Sequence, residues 1–357
     1  MFDNKNSTEE KPLQVGLLFG GRSAEHEVSL MSARSVYSRV ALKGVRWVPL
    51  AISQSGKWLN QEVSTKLITG EIDRIPQKFE EEHNSLLASV KKNLPSTIDL
   101  IFPLLHGPYG EDGKMQGFLQ TLSIPFVGSK TAASAVAMDK SFAKNIFERH
   151  NIRQAKYFLL TAEDIKDKES IVKLEERLVK EIDIPCFVKP ASLGSSIGIS
   201  KVKELKELLP AIRLALEYDD RILIEEFIAG REIECSVLGD WQECEASKPG
   251  EIIPGHEFYD YEAKYFSNKT NLVTPAQLPA KIEQQIRELA CRSFRLLYCD
   301  GLARVDFFVQ ENNEIYLNEI NTLPGFTEKS MYTRMWEATG LSYEAVVEKL
   351  LKLALKD

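Results

Sequence analysis

The chain reads as an α/β protein: an open parallel α/β unit at the amino terminus, followed by mixed α+β units. Three observations carry this expectation. Apolar runs alternate with helix-period segments in the first third, as they do where crossover helices cover a parallel sheet. A length of 357 residues exceeds one ordinary hydrophobic core and implies two or three domains. Near the carboxyl end, two apolar runs flank Asn312-Asn313, the mark of an antiparallel hairpin.

Taken in order, Leu13 to Phe19 is a buried strand and Gly20-Gly21 a tight turn. Val28, Met31, Val36 and Val40 mark one face of the helix that follows. Val45 to Ile52 and Ile98 to Leu105 continue the strand pattern, and residues 60–96 between them read as solvated connection and helix surface. Gly20-Gly21 and His106-Gly107 then fall at carboxyl ends of strands, where open α/β sheets bind ligands. A second unit starts near Gly128-Ser129, with helices predicted over Thr131 to Arg149, Thr161 to Lys180 and Lys203 to Leu216. Its strands are Ile184 to Lys189, Ile197 to Val202 and Arg221 to Glu225. The third unit has a strand at Glu232 to Leu238, the hairpin, and a closing helix from Tyr343 to about Leu353. The expected domains are 1–128, with residues 1–11 a disordered tail, then 129–230 and 231–357.

Composition narrows the function classes. A net charge of −7 provides no broad basic field for nucleic acid. The polar start has no apolar core of a secretory signal, and no run is long enough to span a membrane, so a cytoplasmic location is expected. Five cysteines without a Cys-x-x-Cys pair, and five scattered histidines, point to reduced thiols rather than zinc.

Charge in the hairpin is the most informative feature. With Asn312-Asn313 as a two-residue turn, Asp306 lies opposite Glu319 and Arg304 opposite Asn321, all on one face. Facing carboxylates repel unless a cation sits between them, and carboxylate and amide oxygens suit a hard ion such as Mg2+. Lys189 begins a Gly/Ser-rich turn through Gly194, Ser195, Ser196 and Gly198 that joins two strands. Backbone amides in such a turn, beside a strand-anchored ammonium, suit phosphate. Glu225-Glu226-Phe227-Ile228 ends a strand ahead of Gly230, as an interdomain hinge would. Residues 255–265 are rich in tyrosine and charge without period, the composition of a lid, with packing against a neighbouring domain as the alternative.

Together these segments resemble the D-alanine–D-alanine ligases of the ATP-grasp superfamily from Gly20 to about Leu350. The likeness rests on Gly20-Gly-Arg-Ser-Ala-Glu-His-Glu-Val-Ser-Leu, His106-Gly-Pro-Tyr-Gly-Glu-Asp-Gly, Met138-Asp-Lys, the Lys189 loop, Tyr261-Glu-Ala-Lys-Tyr, Arg304-Val-Asp and Asn318-Glu-Ile-Asn-Thr-Leu-Pro-Gly, in that order. The resemblance implies an ATP-grasp fold with a Rossmann-like amino-terminal domain, working as a homodimer. Its implied reaction joins two D-alanines with ATP through an acyl phosphate, for peptidoglycan precursors. By likeness, Asp306, Glu319 and Asn321 hold two Mg2+ ions, for which Mn2+ can substitute. Lys140 and Lys189 hold phosphates, Glu225, Phe227, Ile228 and Glu232 hold adenosine, and Ser196 and Phe308 complete the nucleotide set. Lys264 reaches the γ-phosphate from the lid. Glu25 meets the first ammonium group beside His106, Arg304 and the amide of Gly325 form the oxyanion hole, and Ser330 and Met331 line the second amino-acid site. Ser195 and Tyr265 link loop, lid and Glu25.

Each role has a plainer competitor. His106 could be a satisfied core histidine, and Glu25 and Glu27 could both be acids that a helix amino terminus favours. Glu226 stands where relatives often carry Lys, and Met331 where Leu is common, which softens the second pocket. Competing functions are a D-serine or D-lactate ligase of the same family and a non-catalytic nucleotide-binding protein. A dinucleotide-dependent dehydrogenase is disfavoured by the lack of Gly-x-Gly-x-x-Gly after the first strand.

Overall fold

The computed structural model of the chain describes residues 11–75, 86–194, 197–253 and 271–356. β1 (Leu13–Gly20) runs between β2 (Val45–Ile52) and β3 (Leu100–Pro103), parallel to both. Flanked on both edges and covered on both faces, its Val15, Leu17 and Leu18 are wholly buried, which is why this strand is apolar without alternation. The turn after it needs glycine: Gly20 has φ +89°, and a Cβ there would lie 2.2 Å from the Ile52 carbonyl oxygen.

Helix α1 (His26–Arg39) buries Val28, Ser29, Ser32, Ala33 and Val36 on the sheet. Met31, expected on that face, is 44% exposed. The buried arc is centred on small residues, which let the helix approach closely, and Met31 falls outside it. A second correction concerns residues 60–96. Instead of a purely solvated connection, α2 (Gln61–Thr69) buries Val63, Ser64, Leu67 and Ile68. Its polar face masked an amphipathic helix that Asn60 caps by accepting from the Val63 amide at 2.9 Å. α3 (Leu86–Asn93) and α4 (Lys114–Thr121) complete this unit.

The predicted single helix over 131–149 is two: α5 (Thr131–Met138) and α6 (Lys140–Arg149). Asp139 breaks the run because its carboxylate accepts from the amides of Ser141 and Phe142 at 3.0 and 3.2 Å, starting a new helix. Lys140 therefore sits at a helix amino terminus instead of mid-helix. Similarly, the helix predicted from Thr161 starts later. Thr161 closes β4 (Tyr157–Thr161), and α7 (Lys168–Glu181) is capped by Asp167.

Two antiparallel sheets follow. One has the order β4, β7 (Arg221–Glu226), β5 (Cys186–Pro190), β6 (Ser200–Val202), backed by α7 and α8 (Leu208–Leu216). The other runs β11 (Asn271–Val273), β10 (Gly250–Ile253), β8 (Arg231–Gly239), β12 (Gly301–Val309), β13 (Ile315–Asn321), with β9 (Cys244–Ala246) also paired to β8. Helix α9 (Ala280–Leu296), which the sequence reading passed over, covers this sheet. Its Ile282, Ile286, Ala290 and Phe294 recur every fourth residue as one buried stripe. Helices α5 and α6 share that core through Ala133, Ala137, Ala143 and Phe147. Helix α10 (Met331–Thr339) leads to α11 (Tyr343–Ala354), whose Val346, Val347, Leu350 and Leu351 join the core of the parallel sheet. The end of the chain thus closes against its beginning.

In the hairpin, β12 and β13 pair as expected at the functional end but not at the turn. The loop is the three residues 311–313: Gln310 donates to the Glu314 carbonyl at 3.0 Å, and Asn313 takes φ +65°. That turn alone would slip the register by one, as Phe307 opposite Leu317 shows. A bulge at Asn318 restores it, leaving Asp306 opposite Glu319 and Arg304 opposite Asn321.

The corrected facing of α1 can be tested by urea unfolding. Ile286→Ala in the α9 stripe is expected to cost about 2–5 kcal/mol, and Met31→Ala to stay within about 0.5 kcal/mol. Comparable losses in the two variants would contradict an exposed Met31.

Candidate active site

On one face of the six-stranded sheet three carboxylates form a row. Asp306 on β12 pairs with Glu319 on β13 to one side and with Glu234 on β8 to the other. Asp306 and Glu234 are 5% and 3% exposed. Such a row is stable only with cations among it. Arg304 donates through Nε and Nη2 to both oxygens of Asp306, each at 2.7 Å, and its Nε is 3.1 Å from Glu234 Oε1. Burial works against charge on this guanidinium, but Asp306 and Glu234 outweigh it and hold Arg304 ionised well above the ordinary arginine range. Lys140 Nζ lies 3.4 Å from Glu319 Oε2.

The donors suit a Mg2+ ion. Among the described residues no three His, Cys, Asp or Glu side chains converge as a metal cage. Mg2+ needs none, because it keeps water and takes one or two carboxylates with substrate phosphates. Asp306 and Glu319 could serve as those carboxylates, and Asn321 offers an amide oxygen fixed by the Leu323 amide at 2.9 Å.

A second charge cluster lies on the four-stranded sheet, whose β7 leads directly into β8. Glu225 is 3% exposed and ion-paired through one oxygen with Lys189 and through the other with Lys144. Burial pushes Glu225 up, yet Lys144 and Lys189 outweigh it and hold the carboxyl below the usual range. Lys144 was not anticipated. One turn from Lys140 on α6, it has a place in sequence that gives no sign of its partner on β7. Lys140 also reaches this cluster's loop, donating to the Leu193 carbonyl at 2.8 Å. The loop joins β5 to β6 as predicted and is pinned where the Ser192 amide donates to Asp219 at 2.8 Å. Phe227 is 36% exposed with Lys201 Nζ 4.0 Å from its ring centre, and Ile228 is buried. Glu232 and Phe308 are register partners one pleat from Glu234 and Asp306.

At the parallel sheet, Glu25 is separated from Glu27: Glu25 is buried and Glu27 exposed. Gly107 makes room for it, since a Cβ there would lie 2.3 Å from Glu25 Oε2. His106 bonds to protein through both ring nitrogens. Nδ1 is 3.0 Å from the Leu323 carbonyl and Nε2 3.0 Å from Ser32 Oγ. A carbonyl only accepts, so Nδ1 donates to Leu323, and Nε2 shares the second bond with the Ser32 hydroxyl. Ser32 Oγ accepts in turn from the Phe326 amide at 3.3 Å. These bonds clamp the segment holding Gly325 onto α1. Ser330 Oγ accepts from the Thr327 amide at 3.0 Å, and Met331 packs on Ile252 and Met335.

Ser195, Ser196, Lys264 and Tyr265, with the lid to which the last two were assigned, lie outside the described residues. A cavity of about 310 Å³ opens in the amino-terminal unit among Gly21, Arg22, Trp58, Tyr109 and Phe118. Of the predicted site residues only His106 lines it, so opposed charges rather than a cavity mark this site.

The family descriptions "D-ala D-ala ligase N-terminus" and "D-ala D-ala ligase C-terminus" match residues 14–129 and 146–352. The D-alanine–D-alanine ligase of Halothermothrix orenii is 46% identical over 349 residues, 97% of this chain and 99% of that protein. That of Geobacillus kaustophilus is 43% identical, covering 96% of this chain and 95% of the relative. Among solved structures, the D-alanine–D-alanine ligase from Coxiella burnetii has a TM-score of 0.80 at 33% identity, covering 97% of this chain and 94% of that one. The VanG D-Ala:D-Ser ligase from Enterococcus faecalis has a TM-score of 0.81 at 35% identity, covering 96% and 99%. With both halves matched and near-complete coverage, the chain belongs to the D-alanine–D-alanine ligase family and takes its ATP-grasp fold.

Proposed function

We propose that this protein is an ATP-dependent ligase that joins two D-alanines for peptidoglycan precursors, in the cytoplasm and as a homodimer. The carrying observation is the pairing of Asp306 with Glu319, with Lys140 beside Glu319 and Lys189 on the four-stranded sheet. Acids that hold a metal and lysines that hold phosphate are the two halves of a phosphoryl-transfer site.

A carboxylate is a poor acyl donor. In the proposed reaction an oxygen of the first D-alanine's carboxylate attacks the γ-phosphorus of ATP, and ADP leaves as the acyl phosphate forms. The amine of the second D-alanine, having lost a proton, attacks the acyl carbon. The tetrahedral oxyanion collapses to the peptide bond and inorganic phosphate. Asp306, Glu319 and Asn321 would hold Mg2+, which would supply neutralisation of the phosphate charge. Lys140 and Lys189 orient the phosphates, with Ser196 and Lys264 assigned to the same task. Glu225, Phe227, Ile228, Glu232 and Phe308 receive adenosine between the two sheets. Buried Glu25 takes the first ammonium, and the guanidinium of Arg304 with the Gly325 amide takes the oxyanion. His106 serves the first site by holding the Gly325 segment, and Ser330 and Met331 receive the second amino acid. Ser195 and Tyr265 close the site.

ADP release measured with D-alanine, D-serine, D-lactate and L-alanine as second substrate tests the reading. D-alanine should give the highest kcat/KM. A preference for D-serine would move the chain to the activity named for its Enterococcus faecalis neighbour.

Three variants test the parts. Glu319→Ala should lower turnover by about two orders of magnitude or more without unfolding the protein, since it removes phosphate neutralisation. Near-normal rates at limiting Mg2+ would reject the metal site. Gly107→Ala should raise KM for the first D-alanine, because its Cβ meets Glu25 Oε2. An unchanged KM would remove Glu25 from that role. Lys144→Met leaves Glu225 with Lys189 alone, and breaking such a buried pair costs about 3–5 kcal/mol. KM for ATP should rise more than KM for D-alanine. The sign with pH is set by the depressed Glu225: its contribution is full above the ordinary carboxylate range and is lost as pH falls through the lowered value. ATP affinity should therefore show no loss from Glu225 between about pH 8 and pH 5, and a loss centred above pH 5 would contradict the ionised triad.

A further inference from the structure

Glu234 has no part in the proposed reaction, yet it is 3% exposed and stands directly across β12 from Asp306. Burying a third carboxylate beside two others is costly unless it acts on a neighbouring charge. The neighbour is Arg304. Both oxygens of Asp306 accept from the Arg304 fork at 2.7 Å. A cation would bind those same oxygens and draw on their charge, so it weakens the hold of Asp306 on Arg304. A buried guanidinium cannot simply let go, because it would be left without an anion. It needs a second seat, and its Nε already lies 3.1 Å from Glu234 Oε1.

We propose that Glu234 is a positioning residue that takes Arg304 from Asp306 when a divalent cation binds, freeing Asp306 to ligate and re-aiming the guanidinium. This rests on Asp306 being a metal ligand. The exchange conserves pairing: before it, Arg304 bridges Asp306 and Glu234, and after it, the cation holds Asp306 while Glu234 alone holds Arg304. No proton moves. The carboxylate on β8 thereby couples metal loading to the placement of the oxyanion donor. Until the cation arrives, Arg304 stays on Asp306, so the site becomes competent only when loaded.

The test is Mn2+ binding to the protein with ADP present, followed by electron paramagnetic resonance, for wild type, Asp306→Asn, Glu234→Gln and Glu234→Asp. Asp306→Asn checks the underlying reading: if it binds Mn2+ as wild type does, the metal assignment fails and this proposal with it. If Asp306→Asn weakens binding, the Glu234 variants decide. Glu234→Gln should raise the Kd for Mn2+ by about 10-fold or more, in the range seen when a residue supporting a metal ligand is removed. Loss of a negative charge could do the same at a distance, and Glu234→Asp separates the two causes. It keeps the charge but is one methylene too short to seat Arg304, so it too should bind Mn2+ about 10-fold more weakly. Wild-type affinity in Glu234→Asp would overturn the exchange and leave Glu234 as background charge. Wild-type affinity in Glu234→Gln would overturn it as well. Unfolding midpoints of the four proteins, measured without metal, confirm that each is folded before its affinity is compared.

Discussion

Charge compensation on a buried sheet face is the constraint on which the rest depends. Glu234, Asp306 and Glu319 stand on three neighbouring strands, a spacing set by the ladder itself. Without ligands, only protein cations can hold them there. Arg304 comes from within the sheet, but Lys140 must be brought from elsewhere, and the structure does so by breaking a helix. Asp139 ends α5 and starts α6, and the new helix begins with Lys140 aimed at both Glu319 and the Leu193 carbonyl. The same residue pairs with Arg221 on the four-stranded sheet, so one aspartate fixes the helix start and ties it to the neighbouring lobe.

The second charge cluster follows the same logic with opposite sign. Two lysines converge at the root of the proposed phosphate loop, and Glu225 between them keeps them from repelling each other. Lys144 is 2% exposed, with its ammonium over the Tyr157 ring of β4 and paired to Glu225, so it holds that carboxylate from inside the protein. Lys189, at the root of the loop, is buried on the same carboxylate and is the lysine of the pair that adjoins the loop. Glu225 is thus both the adenosine residue of the proposed site and the anchor of its phosphate residue. The two halves of a nucleotide would be read by one connected network.

How much of this the sequence disclosed depends on whether the signal was local. Strands β1 and β2 declared themselves through mainly apolar runs, and the Asp306–Glu319 pair through hairpin symmetry. The pair was right although the turn was not, because the one-residue shift of the Asn313 loop is cancelled by the bulge at Asn318. Local pattern failed where a polar face concealed an apolar one, as in α2, and where a capping residue interrupted helical periodicity, as at Asp139. It failed entirely for Glu234 and Lys144, whose meaning lies in partners on other strands. Family likeness, not physics, chose Glu25 over Glu27. The structure distinguishes the two acids by burial alone, with Glu25 buried behind Gly107 and Glu27 exposed.

His106 illustrates how two readings of one residue merge. The bland expectation, a satisfied core histidine, describes its bonds: both ring nitrogens are engaged within the protein. What it satisfies is the segment carrying Gly325, held through Leu323 and, via Ser32, through Phe326. Phe326 packs against Phe102 of the parallel sheet and Tyr332 of α10, and its carbonyl accepts from the Tyr343 hydroxyl at 2.9 Å. The donor assigned to the oxyanion therefore sits on a segment fastened to both the first domain and the last helices. A loop so fastened needs little reorganisation when charge develops, which is the condition under which backbone amides stabilise an oxyanion most. The folding of α11 back onto the amino-terminal core is then part of the site's construction, because it holds that amide in place.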